Sequence, residues 1–113
     1  MSTSSVSPDF FMKRENDESV YQMRVNGKVV CIVKTLESIL LTISTHQDER
    51  RKGYATTLLR HIEDKARQSG ARRLQTSDID STVEEAVRFF KKNGYTLTPI
   101  AGDESFLEGT KDL

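Results

Sequence analysis

Between Ile39 and Ser69 the apolar residues change period, and the change falls on a charged turn that ends in a glycine. The run Ile39–Thr45, "ILLTIST", is apolar almost throughout, which suits a β-strand covered on both faces. From Ala55 to Ser69 the apolar residues Ala55, Leu58, Leu59, Ile62 and Ala66 fall on one stripe, with Arg60, Asp64 and Arg67 facing away. That is an amphipathic helix, and Gly70 is its natural left-handed stop. A backbone that leaves a strand, bends at Gly53 and enters a helix presents several N–H groups without intrahelical partners. They point outward together, and the helix dipole adds partial positive charge. Gly53 admits the bend and lets a ligand approach closely, while Ala55 keeps the first turn open. Arg50, Arg51 and Lys52 flank the turn with charge. The unit is suited to a bound anion such as a pyrophosphate. Neither G-x-x-x-x-G-K-[ST] nor G-x-G-x-x-G occurs, so neither a nucleoside-triphosphate loop nor a dinucleotide fold is indicated.

The remaining elements follow from the same periodicities. "SVYQMRV" alternates Val20, Gln22 and Arg24 against Tyr21, Met23 and Val25, the period of a half-buried strand. Asn26-Gly27 is a two-residue hairpin signal, and Lys28–Leu36 continues as a β-branched strand. "RRLQTS", Arg72–Ser77, is a fourth strand. Ser81-x-x-Glu84 and Thr82-x-x-Glu85 both fit a capping box for a second helix over Thr82–Lys92, with Val83, Ala86, Val87 and Phe90 inward and Asn93-Gly94 ending it. "YTLT" is a fifth strand, Pro99–Glu104 a loop, and "SFLEG" a last short strand before a frayed tail. Residues 1–19 read as a loosely ordered polar leader, and 20–113 as a single domain. The class is α/β (α+β): a mixed, mostly antiparallel sheet flanked by two main helices.

Composition removes several alternatives. Seventeen basic residues balance seventeen acidic ones, so no whole-protein field pulls on nucleic acid or an anionic membrane. No apolar run is long enough to span a bilayer, and the N-terminus lacks the apolar core of a signal peptide. Cys31 is the only cysteine, which leaves no internal disulfide and no thiolate metal cluster, and the expected compartment is the cytoplasm. A helix-turn-helix is a poor fit, because twelve residues containing a strand, Gly70–Ser81, separate the helices.

The hexapeptide Arg50-Arg51-Lys52-Gly53-Tyr54-Ala55 resembles Arg/Gln-x-x-Gly-x-Gly/Ala, the coenzyme-A pyrophosphate motif of the GNAT superfamily of N-acetyltransferases. The order strand, loop, amphipathic helix, strand and helix, ending in Phe90-x-x-x-Gly94-Tyr95, is similar to that family over roughly Lys28 to Thr98. The resemblance implies a GNAT-like fold and acetyl-CoA (coenzyme A) as cofactor. Main-chain N–H groups from about Arg51 to Thr56, across Lys52, Gly53, Tyr54 and Ala55, would hold the pyrophosphate, with Arg50, Arg51 and Lys52 as flanking charges. Ile43, Ser44 and Thr45 would pair with the pantetheine arm on a strand that splays from Leu74–Ser77, and Phe90 would line the cofactor. The acetyl group would pass directly to a primary amine, on a protein lysine or N-terminus or on a small molecule. No metal is implied.

This sequence also departs from the family's pattern. The family's helix tyrosine, a general acid for the departing thiolate, falls at Phe90, and Tyr95 or a water would have to replace it. An asparagine common near the start of that helix falls at Val83. Glu37 stands about two residues from the position of a general base used by some relatives, and His46 is a second candidate base. In the family a strand and two helices at the N-terminus form one wall of the acceptor groove; residues 1–19 are expected to be too few and too polar to supply them, so the acceptor side is expected to be open or completed by a second subunit, as in a homodimer. An alternative is a non-catalytic acyl-CoA-binding module.

Overall fold

The computed structural model describes residues 8–37, 39–45 and 53–113, with 41–45 described through their backbone. Seven strands form one sheet in the order β1-β2-β3-β4-β5-β7-β6. They are β1 (Asp9–Glu15), β2 (Glu18–Val25), β3 (Lys28–Leu36), β4 (Ile39–Thr45), β5 (Arg73–Asp80), β6 (Thr96–Ile100) and β7 (Asp103–Asp112). Helix α1 (Tyr54–Gln68) joins β4 to β5, and α2 (Glu84–Lys92) joins β5 to β6. Only β4 and β5 pair in parallel; every other ladder is antiparallel.

Both helices lie against the same sheet face. Thr56 and Glu63 of α1 reach Asn93 and Tyr95, which end α2 and lead into β6, and Glu63 also meets Lys111 of β7. The core fills this one layer: Met23, Cys31 and Val33 from the sheet and Leu58, Leu59 and Ile62 from α1 are all buried. Right-handed crossovers proceeding in one direction across a sheet put successive helices on one side. The other face alternates to polar residues such as Lys13, Gln22, Lys34, Gln75 and Glu108, as expected of a largely antiparallel sheet facing water.

Residues 9–15 are not a loose leader. They form β1, which pairs with β2 along its whole length from Asp9↔Arg24 to Glu15↔Glu18. The hairpin turns at Asn16-Asp17, with Asn16 at φ 56, a left-handed conformation that asparagine tolerates. Phe10 then stacks on His61 of α1, ring centroids 4.1 Å apart and planes within 4°. Burial, reinforced by Lys65, lowers the His61 pKa. The C-terminus does not fray before residue 112 either: β7 runs for ten residues between β5 and β6. The capping boxes do not form. Ser81 Oγ donates to the Ser105 carbonyl (2.9 Å), Thr82 donates to Asp80, and Val83 takes the N-cap position without a side-chain bond.

Gly109 of β7 is closely packed by its neighbours on β6 and β5. A Cβ there would stand 2.9 Å from Leu97 Cδ2 and 3.0 Å from Thr76 Cγ2. Gly109→Ala is expected to cost about 1–3 kcal/mol through overpacking, read as a lower Tm in calorimetry.

Candidate functional site

Gly53 sits immediately before α1 with φ 77 and ψ 10, a left-handed conformation that a glycine adopts without strain. A Cβ there would meet no described atom within 4 Å. The Gly53 carbonyl already accepts from the Thr57 N–H (3.0 Å) and the Thr57 hydroxyl (3.0 Å). Among the described residues no side chain caps α1, and its first turn holds no acidic residue. The N–H groups of Tyr54, Ala55 and Thr56 thus have no acceptor among the described residues. Helix α2 differs: Glu84 and Glu85 occupy its first turn, with Asp80 bonded to Thr82 just before it. One helix N-terminus offers bare donors and the other is surrounded by carboxylates, so an anion is favoured only at α1.

Beside that helix end the sheet parts. The parallel ladder between β4 and β5 consists of Ile39↔Gln75 and Leu40↔Thr76. Beyond Leu40, β4 keeps its pairing with β3 as far as Cys31↔Thr45, while β5 stays with β7. The register of β5 shifts between Thr76 and Ile79, where Asp78 adopts φ 60. A bulge of this kind bends a strand and strengthens its twist, and here it falls where β5 leaves β4. The edge of β4 that carries Ile43, Ser44 and Thr45 is left with backbone groups unpaired on the β5 side among the described residues. An extended chain bearing amide groups can pair there as a strand would.

The other residues singled out from the sequence are scattered. Glu37 is an exposed turn residue at φ 55 between β3 and β4. It lines a cleft of about 510 Å³ with Arg14, Tyr21, Thr35, Lys65 and Gly70, at the C-terminal end of α1. The helix alone puts that cleft roughly 20 Å from Gly53. Tyr95 is buried, and its hydroxyl donates to Glu63 Oε2 at 2.9 Å. Burial, followed by the Glu63 charge and that bond, raises its pKa far above the ordinary tyrosine value. Phe90 is only 7% exposed and packs edge to face on Phe89 and Tyr95. The structure therefore brings Phe90 and Tyr95 together and leaves Glu37 elsewhere. His46, Arg50, Arg51 and Lys52 lie outside the described residues.

Two features went unread in the sequence. The Asp78 bulge has a local signal, since aspartate in "TSDID" is among the few side chains that tolerate a positive φ. The Asn93 amide donates to the Phe89 carbonyl (2.8 Å) and to Thr56 Oγ1 (3.4 Å), tying the first turn of α1 to the end of α2; nothing local announces it.

The mixed, mostly antiparallel seven-stranded sheet with its two helices matches the fold of GNAT acyl-CoA N-acyltransferases. The chain belongs to the acetyltransferase (GNAT) family, whose model matches residues 4–95. That family uses acetyl-CoA. Among solved structures, the chain is similar to a PaiA N-acetyltransferase from Thermoplasma acidophilum in complex with coenzyme A (TM-score 0.75, 16% identity, 86% of this chain and 62% of that one). It is also similar to the GNAT domain of S. lividans PAT (TM-score 0.74, 18% identity, 86% and 61%). A GNAT-family acetyltransferase from Streptococcus pneumoniae gives TM-score 0.69 at 20% identity, covering 88% and 69%. The chain thus spans roughly two thirds of the length of these relatives. No curated protein matches it. No described helix is long and apolar enough to cross a membrane.

Proposed function

We propose that the protein is an N-acetyltransferase that moves the acetyl group of acetyl-CoA directly to a primary amine. The observation that carries this reading is the uncapped start of α1 next to the parting of β4 from β5. The amides of Tyr54, Ala55 and Thr56 would bind the pyrophosphate, with Arg50, Arg51 and Lys52 as flanking charges. The backbone of Ile43, Ser44 and Thr45 would align the pantetheine arm, which directs the thioester toward the wedge near Leu40 and Thr76. Bound acetyl-CoA supplies an activated acyl carbon; the chain supplies orientation, which can account for much of the rate of such a transfer. The amine's lone pair attacks the carbonyl carbon, the C–S bond breaks, and the amine proton must leave.

Neither Glu37 nor Tyr95 is well placed for that proton. Glu37 is about three strand residues, roughly 10 Å, from Leu40, and Tyr95 is held by Glu63 with its pKa raised. We assign Tyr95 and Phe90 to packing behind the slot and leave His46 as the candidate base. The acceptor would approach from the sheet face opposite α1 and α2 as the described residues present it, and a small amine and an amine on a macromolecule both fit the reading. The single, buried thiol of Cys31 accords with a reducing, cytoplasmic setting.

A second reading has its own support. Phe90 stands where the family's acid would be and Tyr95 is locked, which favours an acyl-CoA-binding module without turnover. Thermal unfolding with acetyl-CoA at a hundred times its Kd should show about 2.7 kcal/mol of stabilisation, and acetylation of a panel of amines and lysine peptides should then be measured. Binding with turnover supports the transferase, and binding without turnover supports the module. No stabilisation overturns both.

A further inference from the structure

The edge strand β1 is exposed along nearly its whole length and carries two of the largest exposed hydrophobics among the described residues, Phe11 (47%) and Met12 (53%). Such an edge pairs readily with another strand unless it is blocked. We propose that β1 is a dimerisation edge that pairs antiparallel with β1 of a second copy of this chain, about a two-fold axis at Phe11. This inference stands independently of the acetyltransferase reading.

The register follows from chemistry within the strand. Glu15↔Glu18 closes the two-residue hairpin, and pairs that close such hairpins exchange both hydrogen bonds. Alternation then leaves the N–H and C=O groups of Phe10, Met12 and Arg14 pointing away from β2. Asp9, Phe11, Lys13 and Glu15 share the helix-free face: Lys13 bonds Glu15 at 2.9 Å, and the Arg24 guanidinium lies 4.4 Å above the Phe11 ring. A two-fold at Phe11 sets Phe11 against its own copy and Phe10 against Met12, whose outward groups then exchange hydrogen bonds. Asp9, which has no ion pair among the described residues, meets Lys13 of the other copy on the same face. Arg14 falls opposite Pro8, whose missing N–H leaves only a carbonyl to accept. Shifting the axis to Met12 would set Asp9 against Glu15 and Phe11 against Lys13, opposing like charges directly. The sheet's other edge, β6, contains Pro99 and resists a strand-to-strand chain of copies. The association closes as an isologous dimer.

Sedimentation of the full chain over a concentration series tests this. The parent chain should be a dimer in reversible equilibrium. Lys13→Asp should weaken it at least about tenfold by setting like charges together, and Asp9→Lys combined with Lys13→Asp should restore it, each variant first shown to be folded by circular dichroism. As a check on register, Phe11→Cys should form a disulfide-linked dimer under mild oxidation and Arg14→Cys should not. A monomer at all concentrations overturns the proposal. So does a dimer indifferent to Lys13→Asp, or equal cross-linking at positions 11 and 14.

Discussion

Gly53→Glu yields a folded protein that no longer binds coenzyme A. No described atom lies within 4 Å of a Cβ at this position, so the substitution is not expected to disturb the described core. The left-handed backbone at φ 77 charges any L-residue about 1–2 kcal/mol, a cost in Tm but not in fold. Binding suffers far more. The new carboxylate occupies the approach to the free N–H groups of Tyr54, Ala55 and Thr56 and satisfies them itself, as an N-terminal acid does in an ordinary helix. Each charge-assisted hydrogen bond lost to the ligand is worth about 1.5–3 kcal/mol, so affinity should fall by at least about a hundredfold. Gly53→Ala carries the same backbone strain without the charge and should keep most of the affinity. Titration calorimetry of both variants decides the matter; equal coenzyme A binding by the parent and a folded Gly53→Glu protein would sink the assignment of the anion site.

What could be read from the sequence, and what could not, divides by the range of the interactions. Asn26-Gly27 was legible because its turn demands two positive φ values, and both residues have them, at 54° and 76°. Helix α1 was legible to within a residue at either end, because its apolar stripe runs between Gly53 and Gly70. The turn at Asn16-Asp17 lacks a glycine, and Phe10-Phe11-Met12 does not alternate, so β1 carried no period to detect. The capping boxes at Ser81 and Thr82 are sound local chemistry. They lose to a partner 24 residues away, the Ser105 carbonyl, and to Asp80. For the site, the bare amides of α1 follow from local sequence. The parting of β4 from β5 depends on where β7 pairs, and Tyr95's position depends on Glu63, a partner 32 residues away. A candidate acid chosen from the sequence was thus a residue whose hydroxyl is already committed.

That commitment belongs to a clasp whose disruption should produce the largest loss of stability. The buried Glu63 carboxylate accepts from Tyr95 Oη and from Lys111 Nζ, each at 2.9 Å, and so joins α1 to the start of β6 and the end of β7. Its two partners are unequal in exposure: the Glu63 side chain is 5% exposed and Lys111 26%. Losing the lysine strands a charge that cannot reach water, whereas losing the acid lets the lysine swing outward. Lys111→Met, which keeps an apolar stem, is therefore expected to cost about 3 kcal/mol, or about 15 °C in Tm for a chain of this size. Glu63→Gln keeps the shape and an acceptor for Tyr95 and should cost only about 1 kcal/mol. The double variant should be more stable than Lys111→Met alone, because no isolated charge remains buried. The same clasp anchors the helix whose first turn would hold the cofactor, so Lys111→Met should also weaken coenzyme A binding although residue 111 is far along the sequence from Gly53. Calorimetric melting of the three variants, arranged as a double-mutant cycle, would contradict this account if Lys111→Met proved as benign as Glu63→Gln.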